Sequence, residues 1–337
     1  MQLILDELVQ SGAAPGVTAY VTGPNETWAG SAGVADIETG APMRPDARMR
    51  IESNSKTWLT AVILQLAQEG TLTLDDTVAH WLPGLLRVHG DEITLRQLMT
   101  DTSGLIDDND IWSATPSEAR AMLARVGDPK LRAELLAAVA RYNADPEVGM
   151  SALLFIRTAA WQPLVAQPGT TYHHSNIGWN VAGLIAARAG GRSLPALYRE
   201  RLFEPLGLQH TAFSPQGQIP GPHVSGYAHV GRRWVDKTSI HAGKFADGAI
   251  VTNARDEAAF LRAAMNGTLF AKARWLDLYG LPIEKTCGTS AYLGEGSGDG
   301  YHSYAVYDHT GDHIAVLLLN TDRVDGAAAA RRLYCNA

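Results

Sequence analysis

Strand-like alternation marks both ends of this 337-residue chain, and helical periodicity fills what lies between. Residues 16–21 and 27–34 read as two strands joined by a turn, and residues 301–307 and 313–319 read as a second pair. From Thr57 to about Arg201, apolar residues recur three and four apart in the stretches 57–69, 94–99, 116–142, 150–160 and 177–190. Pro83-Gly84, Ser103-Gly104 and Pro168-Gly169 punctuate them. After Pro220 strand character returns, interrupted by a helix at about 253–266 and closed by another at 325–334. Strands at both ends with helices between them imply one sheet assembled from both termini, in an α+β arrangement with helices on its faces. We therefore expect a sheet domain from 1–56 and 236–337, an inserted mostly helical domain at 57–235, and an active site between them.

Composition narrows the partners. The net charge is -7 and no long Lys/Arg run occurs, so nothing favours a phosphate backbone or an anionic membrane, and nucleic acid is not an expected partner. No apolar stretch approaches the roughly 18 residues that cross a bilayer. The N-terminus carries Asp6 and Glu7 early and has no basic segment before its apolar residues, unlike a signal peptide. The protein is thus expected to be cytoplasmic, or exported with its leader absent from this sequence. The 11 histidines show no H-E-x-x-H spacing and the two cysteines, Cys287 and Cys335, form no C-x-x-C, so no metal or other cofactor is expected.

The chemistry starts at Ser53-Asn54-Ser55-Lys56, just ahead of the apolar run from Trp58 to Leu64. Serine is a weak nucleophile until a neighbouring base takes its proton. A lysine three residues on lies on the same helical face and, if desolvated, can be neutral near pH 7. S-x-x-K also occurs by chance, so it gains meaning only from the rest of the chain.

Several long segments supply that meaning, in order: Arg50 to Asp76, Ile93 to Leu105 (ITLRQLMTDTSGL), Pro168 to Gly183 (PGTTYHHSNIGWNVAG), Leu202 to Leu208 (LFEPLGL) and Cys287 to Tyr304 (CGTSAYLGEGSGDGYHSY). Through them the chain resembles the penicillin-recognising serine hydrolases: class C β-lactamases, D-alanyl-D-alanine carboxypeptidases, D-aminopeptidases and related esterases. S-x-x-K is the Ser/Lys signature of β-lactamases and penicillin-binding proteins. The resemblance runs from about residue 12 to the end and implies a β-lactamase/transpeptidase-like fold. A similarity to its carboxypeptidase branch, where a Cys-Gly pair precedes the third motif and a cysteine lies near the C-terminus, implies a Cys287–Cys335 disulfide and an exported protein.

Two motifs depart from that family. Its Tyr-x-Asn, whose tyrosine relays a proton, appears here as His174-Ser175-Asn176. An imidazole, with an ordinary pKa near 6.5, can pass a proton at neutral pH; the alternative is that His174 only fills the space of the phenol. Tyr172 is a weak substitute, pointing the same way as His174 in an extended segment. The third motif, Lys-Thr-Gly or His-x-Gly in the family, falls on Gly294-Glu295-Gly296. Lys285-Thr286-Cys287 precedes that frame by too many residues, and His309-Thr310-Gly311 falls in a turn. Without a cation, and with an acid beside it, the site suits a neutral or cationic substrate better than a free carboxylate. Glu295 is offered as a ligand for a substrate ammonium, with a role-free surface glutamate as the alternative. Oxyanion donors are expected from the amides of Ser53 and of the third-motif strand near Ser297 or Gly298, and the glycines would let substrate lie close.

The reading is a serine hydrolase acting through an acyl-enzyme on esters or amides, possible substrates being those of D-amino acids, with Ser53 as nucleophile, Lys56 as base, His174 as leaving-group acid and Asn176 orienting Lys56 and substrate. Acyl or peptidyl transfer to an amine, and a catalytically lapsed ligand-binding protein, are the alternatives. The expected partner is a small molecule or peptide.

Overall fold

A computed structural model describes residues 1–337 apart from 25, 88, 113, 145–150, 221–223, 232, 240–243, 281–283, 299, 323 and 337. Eleven strands lie in the described residues: β1 Gly16–Thr22, β2 Thr27–Gly33, β3 Met49–Arg50, β4 Ala212–Phe213, β5 Tyr227–Val230, β6 Arg233–Asp236, β7 Ile250–Thr252, β8 Glu284–Thr286, β9 Thr289–Gly298, β10 Tyr301–Asp308 and β11 Ile314–Leu319. The main sheet has the order β2-β1-β11-β10-β9-β8, with every pair antiparallel. The chain ends meet at its centre, where Val17 faces Leu319 and Thr22 faces Ile314.

Both faces of this sheet are covered, which is why β11 reads as an unbroken apolar run and is buried throughout. One face packs on the N-terminal helix Gln2–Gln10 and the C-terminal helix Ala327–Cys335, around Leu5, Val17, Val21, Tyr304, Leu317 and Leu333. The N-terminal helix is absent from the sequence reading, although Ile4 and Leu5 bury one side of it. Helix Ala254–Met265 packs on strands β1, β10 and β11. There Trp58 stacks on Phe260 at 3.9 Å, and its indole N–H donates to Glu257 Oε2 at 2.9 Å.

The chain divides into two compact units: 1–61 with 198–239 and 248–337, and 62–197 with 240–247. Residues 198–235, expected with the helices, belong to the sheet unit. The reason is hydrogen bonding: β4 pairs with β7, and the Tyr227 amide donates to the carbonyls of Gly300 and Asn320.

The second unit is helical. Its central helix, Asn176–Ala189, buries Ile177, Trp179, Val181 and Ile185 and packs on Leu95–Met99 and Ala152–Ala159. Thr94 and Thr115 each close a capping box, with Gln97 and Glu118. The stretch 116–142 is two helices, Pro116–Arg125 and Pro129–Ala144. Val126 leaves the helical conformation, and Gly127-Asp128-Pro129 cannot carry it forward. No helix among the described residues is long and apolar enough to cross a membrane.

Candidate active site

The turn that carries Ser53 is held by backbone and small side chains. Arg50 ends β3, the Ile51 amide donates to the Ile250 carbonyl, and the turn Glu52–Asn54 leads into helix Ser55–Gln68. Ser55 Oγ accepts the Ile250 amide at 3.1 Å, and Ser303 Oγ donates to the Ile51 carbonyl at 2.6 Å while accepting from Asn54 Nδ2 at 2.8 Å. Glu52, buried beside Ser53, has φ +53°, a left-handed conformation that costs about 1–3 kcal/mol for a non-glycine residue. These tethers hold it there. They fix Ser53 at the start of the helix, with Lys56 Nζ hydrogen-bonded to Ser53 Oγ at 2.8 Å. Lys56 is buried and Ser53 half-buried.

Strand β9 lies against this turn. A Cβ added to Gly296 would overlap the Ile51 carbonyl oxygen and fall 2.8 Å from both the Ser53 amide nitrogen and Ser303 Oγ. One added to Gly294 would fall 2.5 Å from Asn54 Oδ1. Glycine at 296 is thus required by the backbone of the turn, while at 294 the side chain of Asn54 occupies the space where a side chain would begin. Strand β8 reaches only to Ala291 of β9, so residues 292–298 have no strand on that side among the described residues, leaving alternate amides at an open edge.

Side chains alternate along a strand, so Glu295 and Ser297 face away from the turn that Gly294 and Gly296 touch. Glu295, its side chain 53% exposed, meets His302 Nε2 at 2.9 Å and accepts from the Tyr304 hydroxyl at 3.4 Å; Ser297 Oγ donates to the Asp322 carbonyl. This corrects the reading of Glu295 as an ammonium ligand beside Ser53: the pleat turns its carboxylate to the opposite face of the sheet. Gly298 ends the strand opposite Tyr301. The turn at 308–312 is Asp308 chemistry, with Oδ1 accepting the amides of Thr310 and Gly311. Cys287 and Cys335 form a disulfide that ties the start of β9 to the C-terminal helix.

In the helical unit, the segment 172–176 leads into helix Asn176–Ala189, which Ser175 caps by accepting the Gly178 amide at 3.1 Å. The run Asp107-Asp108-Asn109-Asp110 wraps it. Asp107 Oδ2 lies 3.1 Å from His174 Nδ1, and its Oδ1 accepts the Asn176 amide at 2.8 Å. Asn176 Nδ2 donates to Asp108 Oδ1 at 3.0 Å. Asp101 supports the same segment: its carbonyl accepts the His173 amide and its Oδ1 the Ser175 amide. Burial would raise the Asp107 carboxyl, but hydrogen bonds from His174, Asp108, Asn109 and the Asn176 amide outweigh it and hold it below the usual carboxylate range. Burial, reinforced by Asp107 and Asp247, pushes Asp108 up to about 8. Two adjacent carboxyls are thereby divided into one anion and one neutral acid. Tyr172 is 69% exposed, and burial of the rest of it, with the charge of Asp101, raises its phenol.

Sequence reasoning missed Asp107 and Ser303. A run of acids in a loop ordinarily signals a solvated surface, and only the pairing of His174 with Asp107 across 67 positions distinguishes it. Among the described residues, no group of three or more His, Cys, Asp or Glu side chains is arranged to hold a metal ion.

The comparisons with known proteins agree on the fold. Over 224 residues the chain is 30% identical to a D-aminopeptidase of Cereibacter sphaeroides, covering 66% of this chain and 38% of that protein. Over 218 residues it is 27% identical to Esterase EstB of Burkholderia gladioli, covering 63% and 50%. The chain thus spans half or less of the length of these relatives. Among solved structures it is similar to a D-stereospecific amidohydrolase from Streptomyces, with TM-score 0.81, 24% identity and coverage of 99% and 98%. It is also similar to D-amino acid amidase from Ochrobactrum anthropi complexed with D-phenylalanine, with TM-score 0.77, 22% identity and coverage of 99% and 96%. The Beta-lactamase family profile matches residues 1–335, and by that match this chain belongs to the beta-lactamase family.

Proposed function

We propose that this protein is a serine hydrolase that cleaves small amides or esters, those of D-amino acids foremost, through an acyl-enzyme on Ser53. The single observation that carries the reading is the 2.8 Å hydrogen bond between Lys56 Nζ and Ser53 Oγ on a tethered turn. A buried amine at that distance is a base for the hydroxyl. The names of the D-aminopeptidase and amidase relatives support the substrate class.

The proton inventory closes over one turnover. Ser53 Oγ bonds to the substrate carbonyl carbon and its proton passes to Lys56. The bond to the leaving group breaks, and His174, entering as the imidazolium, gives the departing nitrogen or oxygen a proton. Water then attacks the acyl carbon and gives its proton to His174, while Lys56 returns its proton to Ser53. Asn176 orients the substrate amide in this reading. The Ser53 amide and an open-edge amide of β9, that of Ser297 in this reading, receive the oxyanion; backbone donors need no particular side chain, so Gly294-Glu295-Gly296 can serve where the family has a cation.

Treatment with a fluorophosphonate probe and with a penicillin, followed by mass spectrometry, tests this. An adduct on Ser53 and turnover of a nitrophenyl ester are expected, both lost in Ser53→Ala. No adduct on the folded protein, together with an intact ester, refutes it.

A further inference from the structure

We propose that Asp107 is the positioning residue for His174, forming with it a carboxylate–imidazole pair that sets which imidazole nitrogen faces the substrate. The inference rests on the acyl-enzyme reading above and adds to it a residue outside the three motifs.

The geometry carries the argument. The Asp107 side chain is 8% exposed while that of His174 is 42% exposed, so the carboxylate lies behind the ring and the ring lies toward solvent. Asp107 is itself fixed: Oδ1 accepts the amides of Asp108 at 2.9 Å and Asn176 at 2.8 Å, and Oδ2 accepts from Asn109 Nδ2 at 2.8 Å. An ionised carboxylate can only accept, so His174 Nδ1 must carry the proton it donates to Oδ2. That leaves Nε2 to give a proton in one half of the cycle and take one in the other. The same carboxylate stabilises the imidazolium that exists before leaving-group protonation and after water attack. A tyrosine needs no such partner, because its one oxygen is both donor and acceptor. An imidazole in that place needs a tautomer set for it, and Asp107 sets it.

The neighbouring acids have their own contacts. Asp108 bonds Asn176, Asp110 lies 3.6 Å from His173 Nε2, and Asp101 takes the Ser175 amide.

The test uses the intact chain as wild type, Asp107→Asn and His174→Gln, on a D-amino acid amide and on the nitrophenyl ester of the same acid. Asp107→Asn should lower kcat on the amide on the order of 10²- to 10⁴-fold with KM little changed. Acylation by the ester should fall far less, because nitrophenolate leaves without a proton. Independently of turnover, the imidazole NMR signal that is missing from His174→Gln should titrate at lower pH in Asp107→Asn than in wild type, because a neighbouring anion that favours the charged ring is gone. Equal losses in the rate of acylation by amide and ester, or an unshifted His174 titration, overturn the proposal. If wild type turns over neither substrate and Ser53 takes no probe, the acyl-enzyme reading has failed, and the titration still decides whether Asp107 and His174 are paired.

Discussion

Replacing Gly296 by alanine should damage the nucleophile without touching any catalytic side chain. The new methyl would overlap the Ile51 carbonyl and stand 2.8 Å from the Ser53 nitrogen and from Ser303 Oγ, where ordinary van der Waals contact begins at 3.4 Å. Two of those three atoms are backbone, so the strand and the turn must separate by more than half an ångström. Overpacking of this kind costs about 1–3 kcal/mol. The larger effect should be on rate, since a misplacement near 1 Å at a reacting atom costs on the order of 100-fold. Gly294→Ala is the internal control, because its methyl meets the side-chain oxygen of Asn54 at 2.5 Å, and that amide can rotate at the expense of its bond to Ser303. Thermal unfolding and the rate of Ser53 labelling by a fluorophosphonate measure both terms. We expect Gly296→Ala to slow labelling at least ten times more than Gly294→Ala, at a modest loss of stability. Equal labelling rates for Gly296→Ala and wild type would refute the claim that the approach of β9 sets the position of Ser53.

Ser303→Ala should remove the hydroxyl that the buried Ile51 carbonyl and Asn54 Nδ2 share, leaving each its backbone partner, and cost about 0.5–1.5 kcal/mol by urea unfolding while slowing Ser53 labelling; an unchanged unfolding midpoint would count against the tether. Glu257 is fully buried, and burial, aided by Asp256 and opposed by Trp58, pushes its pKa up to about 8 from 4.5. The folded state therefore holds a proton that the unfolded state releases above pH 4.5, so this contribution to stability is whole below that pH and is lost as pH rises through about 8. Its full size is on the order of 5 kcal/mol. Glu257→Gln, which keeps the shape, should flatten the unfolding free energy between pH 5 and 8 by up to about 1.4 kcal/mol per pH unit relative to wild type. Asp108 titrates in both proteins, so parallel curves would show that Glu257 is not the protonated group.

Much of the candidate site could be proposed from residue order. Ser53, Lys56, His174 and Asn176 could be nominated because helical spacing and ordered segments are local properties, and the Cys287–Cys335 pair followed from the family resemblance. Four of the six strands of the main sheet were legible for a similar reason: alternation at 16–21 and the apolar run at 313–319 report burial on one face or on two. The N-terminal helix was not assigned, because it is short and its apolar residues sit ahead of a much stronger strand pattern.

The sequence by itself determined the composition of the chemistry: a serine three residues before a lysine, an imidazole where a phenol is usual, and glycines where a cation is usual. Tertiary structure alone decided what those substitutions mean. The pleat of β9 turns Glu295 away from Ser53, the crowding of Asn54 and Ile51 explains the glycines at 294 and 296, and a loop 67 positions upstream brings Asp107 behind His174. Each is a contact between segments distant in the chain, and no local pattern encodes the direction in which a side chain will find its partner.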